Sequence, residues 1–158
     1  LDFEKIVTDI NPETGLKISE IEALGERSPR DTPILIAEDS PLLNKLIVNS
    51  LKQAGYTNLI HTENGRQAYD VIQQCKADGT LKDHVRCIIT DIEMPEMDGH
   101  RLTKLVKEDE ATKDIPIVIF SSLVNEEMKR KGRALGADAQ LSKPEIGNLV
   151  HIVDELIQ

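Results

Sequence analysis

From Pro33 onward, short and nearly continuous apolar runs alternate with longer segments of helical period. The runs are Ile34–Ala37, Cys87–Thr90 and Ile115–Phe120, with weaker ones at Asn58–His61 and Ala137–Leu141. A strand covered by helices on both faces has no solvent side, so it reads as continuous rather than alternating. These runs are four to six residues long and the main ones are β-branched, which favours strand over helix.

The intervening segments carry apolar stripes. Leu42, Leu43, Leu46, Ile47 and Leu51 make the first, with Ser40 as N-cap, Pro41 at the first helical position and Gly55 after the end. Ala68, Val71, Ile72 and Cys75 make a second, and Leu102, Leu105 and Val106 a third. Met128, Ala134 and Leu135 suggest a fourth, closed by Gly136. Ile146, Leu149, Val150, Val153, Leu156 and Ile157 make the last. Five strands alternating with five helices predict an α/β fold, a five-stranded parallel sheet with helices on both faces.

Residues 1–31 have a different character. They carry eight acidic against four basic side chains, with turn signals at Asn11-Pro12 and Ser28-Pro29. Ile18, Ile21 and Leu24 fall at helical spacing, which predicts a short helical extension too small for a core of its own. The expected division is therefore 1–31 and 32–158.

Composition narrows the options. Of the 158 residues, 39% are hydrophobic but only 3% aromatic, and Trp is absent, so the core must be Ile, Leu, Val and Ala. A net charge of −9 opposes nucleic-acid binding and is compatible with a divalent cation. Cys75 and Cys87 lack metal-site spacing and read as small apolar residues in a reducing compartment. His61, His84, His100 and His151 are scattered and read as surface or helix-face residues. No apolar stretch reaches the roughly 20 residues of a membrane helix. The chain starts at Leu1 without a visible signal peptide, so the expectation is a fragment of a cytoplasmic protein.

Ligand sites in open α/β sheets lie beyond the carboxyl ends of the strands. There the first strand ends in Glu38-Asp39, the third in Thr90-Asp91, the fourth in Ser121-Ser122 and the fifth in Ser142-Lys143-Pro144. Three clustered carboxylates repel one another and need a cation between them. Hard oxygen donors suit Mg²⁺, which also takes substrate phosphate as a ligand. An Asp can serve as nucleophile to give an aspartyl phosphate, with Lys143 pairing a phosphoryl oxygen.

These pieces resemble the response-regulator receiver domains of two-component signalling. The matching runs are Ile34-Leu35-Ile36-Ala37-Glu38-Asp39-Ser40, Asp91-Ile92-Glu93-Met94-Pro95-Glu96-Met97-Asp98-Gly99, Ile119-Phe120-Ser121-Ser122 and Lys143-Pro144. The resemblance implies a CheY-like (flavodoxin-like) fold with Asp91 as phosphoacceptor. It implies Mg²⁺ held by Asp39, Asp91 and the Glu93 carbonyl, with Glu38 helping directly or through water. Ser121 would be the switch hydroxyl and Lys143 would hold the phosphoryl group. The switch region would comprise Ser121, Ser122, Gln140 and Pro144. Glu38 stands where Asp is commoner, Ser121 where Thr is, and Gln140 where relatives carry an aromatic switch residue. Glu93 and Leu123 occupy positions that tune dephosphorylation in relatives.

Leu1-Asp2-Phe3-Glu4-Lys5-Ile6 looks like the end of a CheW-type coupling domain. A CheW-like module before a receiver is the layout of CheV chemotaxis proteins. That resemblance implies a CheA-like histidine kinase as phosphodonor and a chemoreceptor complex reached through the upstream domain. It implies a switch without steady-state enzyme turnover. Two other readings compete: a pseudo-receiver that keeps only the fold, and a haloacid-dehalogenase-type phosphatase. The latter needs a second Asp two residues after the nucleophile, where this chain has Glu93.

Overall fold

The computed structural model describes residues 31–122 and 125–157, without the side chain of Pro144. The expected helix through Ile18, Ile21 and Leu24 and the position of Leu123 lie outside the described residues. The strands are β1 (Ile34–Ala37), β2 (Leu59–Thr62), β3 (Cys87–Thr90), β4 (Ile117–Ser121) and β5 (Ala139–Ser142). All pair in parallel, in the order β2-β1-β3-β4-β5. The helices are α1 (Pro41–Gln53), α2 (Gly65–Asp78), a single turn α3 (Leu81–His84), α4 (Gly99–Glu108), α5 (Glu126–Leu135) and α6 (Ile146–Ile157). A 3-10 turn, Lys143–Glu145, joins β5 to α6.

Side chains alternate across a strand, and here both sets are apolar. Ile34, Ile36, Cys87, Ile89, Val118 and Phe120 face one way, onto Ile47 and Leu51 of α1 and Leu149 and Val153 of α6. Leu35, Ala37, Ile88, Ile117 and Ile119 face the other, onto Ala68 and Ile72 of α2 and Leu102 and Val106 of α4. With so few aromatics, Tyr56 and Phe120 are the largest fully buried side chains.

Differences from the sequence reading have local causes. Strand β4 starts at Ile117 rather than Ile115, because Pro116 has no N–H for the ladder. The fold adds α3 to the five expected helices; one turn is too short to leave a periodic stripe. On α1, Leu42 and Leu46 are 69% and 48% exposed, so the inward face runs through Ile47 and Leu51 instead. On α5, Ala134 is exposed and the only buried residue is Gly132. A methyl group there would lie 2.3 Å from Gln140 Oε1, so a side chain from β5 fills the space an apolar stripe would occupy.

Each long βα junction ends in a capping side chain. Ser40, Asn64, Asp98 and Asn125 accept N–H bonds from the first turns of α1, α2, α4 and α5. The strand order reverses direction between β1 and β3, which opens a crevice at their carboxyl ends.

Candidate functional site

The register fixes what meets in that crevice. Ala37 of β1 lies beside Thr90 of β3, so the next residues, Glu38 and Asp91, leave the sheet as neighbours. The Asp91 N–H donates to Ala37 O at 3.0 Å, and the Glu38 N–H to Thr62 O at 3.0 Å. Both side chains are nearly inaccessible, Glu38 at 1% and Asp91 at 5%. Asp39 is exposed at the crevice mouth. Carboxylate oxygens of Glu38, Asp39 and Asp91 lie within 4.8 Å of one another.

Lys143, the first residue of the 3-10 turn after β5, reaches back to this group. Its Nζ donates to Asp91 Oδ2 at 2.9 Å and lies 3.4 Å from Glu38 Oε1. The other Asp91 oxygen, Oδ1, accepts the Ile92 N–H at 2.7 Å. Glu38 Oε2 accepts the Ser40 N–H at 3.0 Å. Oε1 is buried and has no hydrogen-bond partner among the described residues; its contact with Lys143 is one of charge.

The charges do not balance. Three carboxylates against one ammonium leave a formal charge of −2. Burial, the largest influence, pushes the Glu38 carboxyl above its usual range. The Ser40 N–H pulls it down, the Asp91 charge adds to the rise and Lys143 opposes it. For Lys143, burial lowers the pKa, but the hydrogen bond and charge of Asp91 and the charge of Glu38 outweigh it and hold the ammonium above its usual range. A hard divalent cation fits this donor set: it would neutralise the excess charge and give Glu38 Oε1 a partner.

The remaining candidates surround the cluster at different distances. Glu93 is exposed and lines, with Asp39, Met94, Pro95 and Asp98, an open cleft of about 510 Å³. Ser121 ends β4 fully buried, opposite Ser142 in the register, and Ser122 is exposed in the turn that follows. The Ser142 hydroxyl is occupied in a capping box with Glu145, at 2.7 Å. Gln140 turns away from the acids: its Nε2 donates to Lys129 O of α5 at 2.8 Å. Pro144 lies in the 3-10 turn. A second cleft, about 460 Å³ and lined in part by Val85, Arg86, Ile115 and Pro116, sits beyond the amino ends of β3 and β4, at the opposite edge from these acids.

Three further residues carried no functional role in the sequence. Gly99 comes so close to the acceptor turn that a methyl group on it would lie 1.9 Å from Asp91 O, and its N–H donates to Ile92 O at 2.8 Å. Its place in the Asp98-Gly99 pair was a signal. His61 Nε2 lies 3.0 Å from Glu38 O. His100, expected on a surface or helix face, is on a helix but only 4% exposed, because it turns into the junction of α4 with α5.

The family model for the response regulator receiver domain matches residues 34–154, from the first residue of β1 into α6. The chain belongs to that family. Among curated relatives, the gliding motility regulatory protein of Myxococcus xanthus is 34% identical over 114 residues, covering 72% of this receiver chain and 14% of that protein. Chemotaxis protein CheV1 of Helicobacter pylori is 29% identical over 100% of this chain and 48% of its own length. The receiver chain thus spans less than half of either relative. Among solved structures, chemotaxis response regulator CheY4 of Vibrio cholerae superposes with a TM-score of 0.68 at 26% identity, over 80% of this chain and 99% of that one. Among the described residues, no helix of the receiver is long and apolar enough to cross a membrane.

Proposed function

We propose that Asp91 accepts a phosphoryl group from a histidine kinase and that the modified receiver changes its contacts with a partner. The observation that carries this reading is the meeting of Asp91 Oδ2 with Lys143 Nζ at 2.9 Å inside a group of three carboxylates. Asp91 is the nucleophile. Its carboxylate oxygen forms the new bond to phosphorus, the bond to the donor imidazole nitrogen breaks, and that electron pair stays on nitrogen.

Glu38, Asp39, Asp91 and the Glu93 carbonyl would hold Mg²⁺, which when bound neutralises charge developing on the phosphoryl oxygens. Lys143 exchanges its contact with Asp91 Oδ2 for one with a phosphoryl oxygen, which keeps its ammonium paired throughout. The Ile92 N–H holds Asp91 Oδ1 and so keeps the carboxylate plane from turning. Ser121, one strand over, supplies the hydroxyl that answers the new group, and Ser122, Gln140 and Pro144 complete the region that moves. With Gln140 bonded to Lys129 O, the readout runs through an amide seated on α5 rather than an aromatic ring.

The context we infer is a CheV-type chemotaxis protein of the cytoplasm. The support is that CheV1 aligns with the whole chain, including residues before the receiver match at 34. An upstream CheW-like domain, divided from the receiver near residue 31, would then bring the chain to a chemoreceptor complex and its CheA-like kinase. The domain works as a switch, not as a turnover enzyme. Neither competing reading gains support. A pseudo-receiver has no need of the full acid and lysine set, and a phosphatase of the haloacid-dehalogenase type has no second Asp at Glu93.

The test is labelled phosphoryl transfer from a histidine kinase or a small phosphodonor to wild type and Asp91→Asn, with and without Mg²⁺. Uptake by wild type alone, dependent on Mg²⁺, is expected. Equal labelling of the variant defeats the assignment.

A further inference from the structure

Away from the acid cluster, one cleft combines concentrated positive charge with a buried group that lacks a partner. Asp98, His100, Arg101, Lys104, Lys131 and Leu135 line a cleft of about 330 Å³ between α4 and α5. His100 is 4% exposed, and its Nε2 has no hydrogen-bond partner among the described residues. Buried side-chain nitrogens are ordinarily paired, so this atom is an exception that calls for a cause.

The charge here runs against that of the chain. Arg101, Lys104 and Lys131 are exposed and have no ion-pair partner among the described residues. Against Asp98 they give the cleft a formal charge of +2, in a chain of −9. Asp98 is partly committed, since its Oδ1 accepts the Arg101 N–H at 2.7 Å. The positive field reaches the buried ring: burial lowers the His100 pKa, the Lys131 charge lowers it further, and Asp98 opposes. The lining is also the amino-terminal turn of α4, where the helix dipole favours negative charge.

We propose that this cleft docks an acidic peptide segment of a protein partner. A carboxylate of that segment lies among Arg101, Lys104 and Lys131, and a neighbouring apolar side chain rests on Leu135. The size and lining select this occupant. The volume is at the lower end for ligand pockets, suited to one or two side chains. No Phe, Tyr or Trp lines it and the His100 ring is only 4% exposed, so a nucleobase finds no open aromatic face to stack on. A lipid surface needs a broader cationic and apolar patch than three cations and one Leu provide.

The docking surface is distinct from the acid cluster but joined to it. Asp98 and Gly99 open α4, and the Gly99 N–H bonds Ile92 O beside Asp91. The inference does not depend on phosphorylation and stands even if Asp91 never accepts a phosphoryl group.

The probe is a decapeptide of alternating Glu and Leu, titrated into the isotope-labelled full chain without phosphodonor and followed by NMR. A Lys–Leu decapeptide is the control. Saturable shifts at Asp98–Lys104 and Lys131–Leu135, movement of the His100 ring signals and weakening by salt are expected. The exposed double variant Lys104→Glu/Lys131→Glu should bind about tenfold more weakly. Asp91→Asn should bind as wild type does. The proposal is overturned by no saturable shift at millimolar peptide, by equal binding of the Lys–Leu peptide or the double variant, or by shifts centred elsewhere.

Discussion

A methyl group on Gly99 would lie 1.9 Å from the carbonyl oxygen of Asp91. The obstacle is backbone, so it cannot rotate aside, and the acceptor turn or the start of α4 must move. Gly99→Ala should therefore lower stability by about 1–3 kcal/mol and slow phosphoryl uptake at Asp91. Gly147→Ala is the matched control, since an added methyl there meets nothing within 4 Å. It should raise stability by about 0.4–1 kcal/mol and leave uptake unchanged. Urea unfolding and labelling of both variants check the pair; equal behaviour would show that close approach at Gly99 is unimportant.

Lys143 stands between two buried acids, 2.9 Å from Asp91 and 3.4 Å from Glu38. Lys143→Met should destabilise the wild type and cost less in an Asp91→Asn background, where one of those charges is gone. A double-mutant cycle by urea unfolding should give a coupling of about 0.5–3 kcal/mol. Strict additivity would mean that the ammonium does not hold Asp91 in solution.

Glu38 gives a pH dependence of definite sign. Its folded pKa is raised above the ordinary 4.5, so the folded chain holds that proton more tightly than the unfolded one. The group favours folding below its unfolded pKa and weighs against it as pH rises through the folded value. Without metal, Glu38→Gln should gain stability relative to wild type as pH rises above the ordinary 4.5. Mg²⁺ at ten times its Kd should add about 1.4 kcal/mol to wild type, less to the variant, and EDTA should remove it. Thermal melts in the four conditions decide; a flat difference across pH contradicts the burial argument.

Cys87 sits fully buried on β3 with Asp138 nearby, and burial first, then that charge, push its thiol up to about 12. A thiolate is the reactive form, so native Cys87 should resist alkylation at neutral pH and react once urea unfolds the chain. Mass spectrometry after a timed iodoacetamide pulse reads both states. Rapid native labelling would contradict the placement of β3 in the core.

The sequence was most legible where both sides of an element are covered. Strands β1 and β3 match their apolar runs residue for residue, because every position there is buried. At β4 the apolar run overshoots, since Ile115 and Pro116 are apolar without joining the strand. Helix α5 was least legible: its packing rests on Gly132 and an amide from Gln140, and neither registers as hydrophobic. The acids and Lys143 were legible as a group because parallel topology sends every strand end to one edge. His100 was not, because nothing in a histidine's identity says whether it is buried. Its orphaned Nε2 appears only when α4 and α5 are seen together.

The Tyr56 hydroxyl donates to Asp154 Oδ1 at 2.5 Å, linking residues 98 apart, and Leu149 and Val153 of the same helix complete the core on the α1 face. During synthesis the chain emerges from its amino end. Until α6 has cleared the ribosome, one whole side of the nascent sheet has only α1 to cover it. The α2–α4 side can close earlier, from segments already made. A receiver cut short before α6 is thus a sheet with one apolar face left to α1 alone, and only α6 can complete its cover.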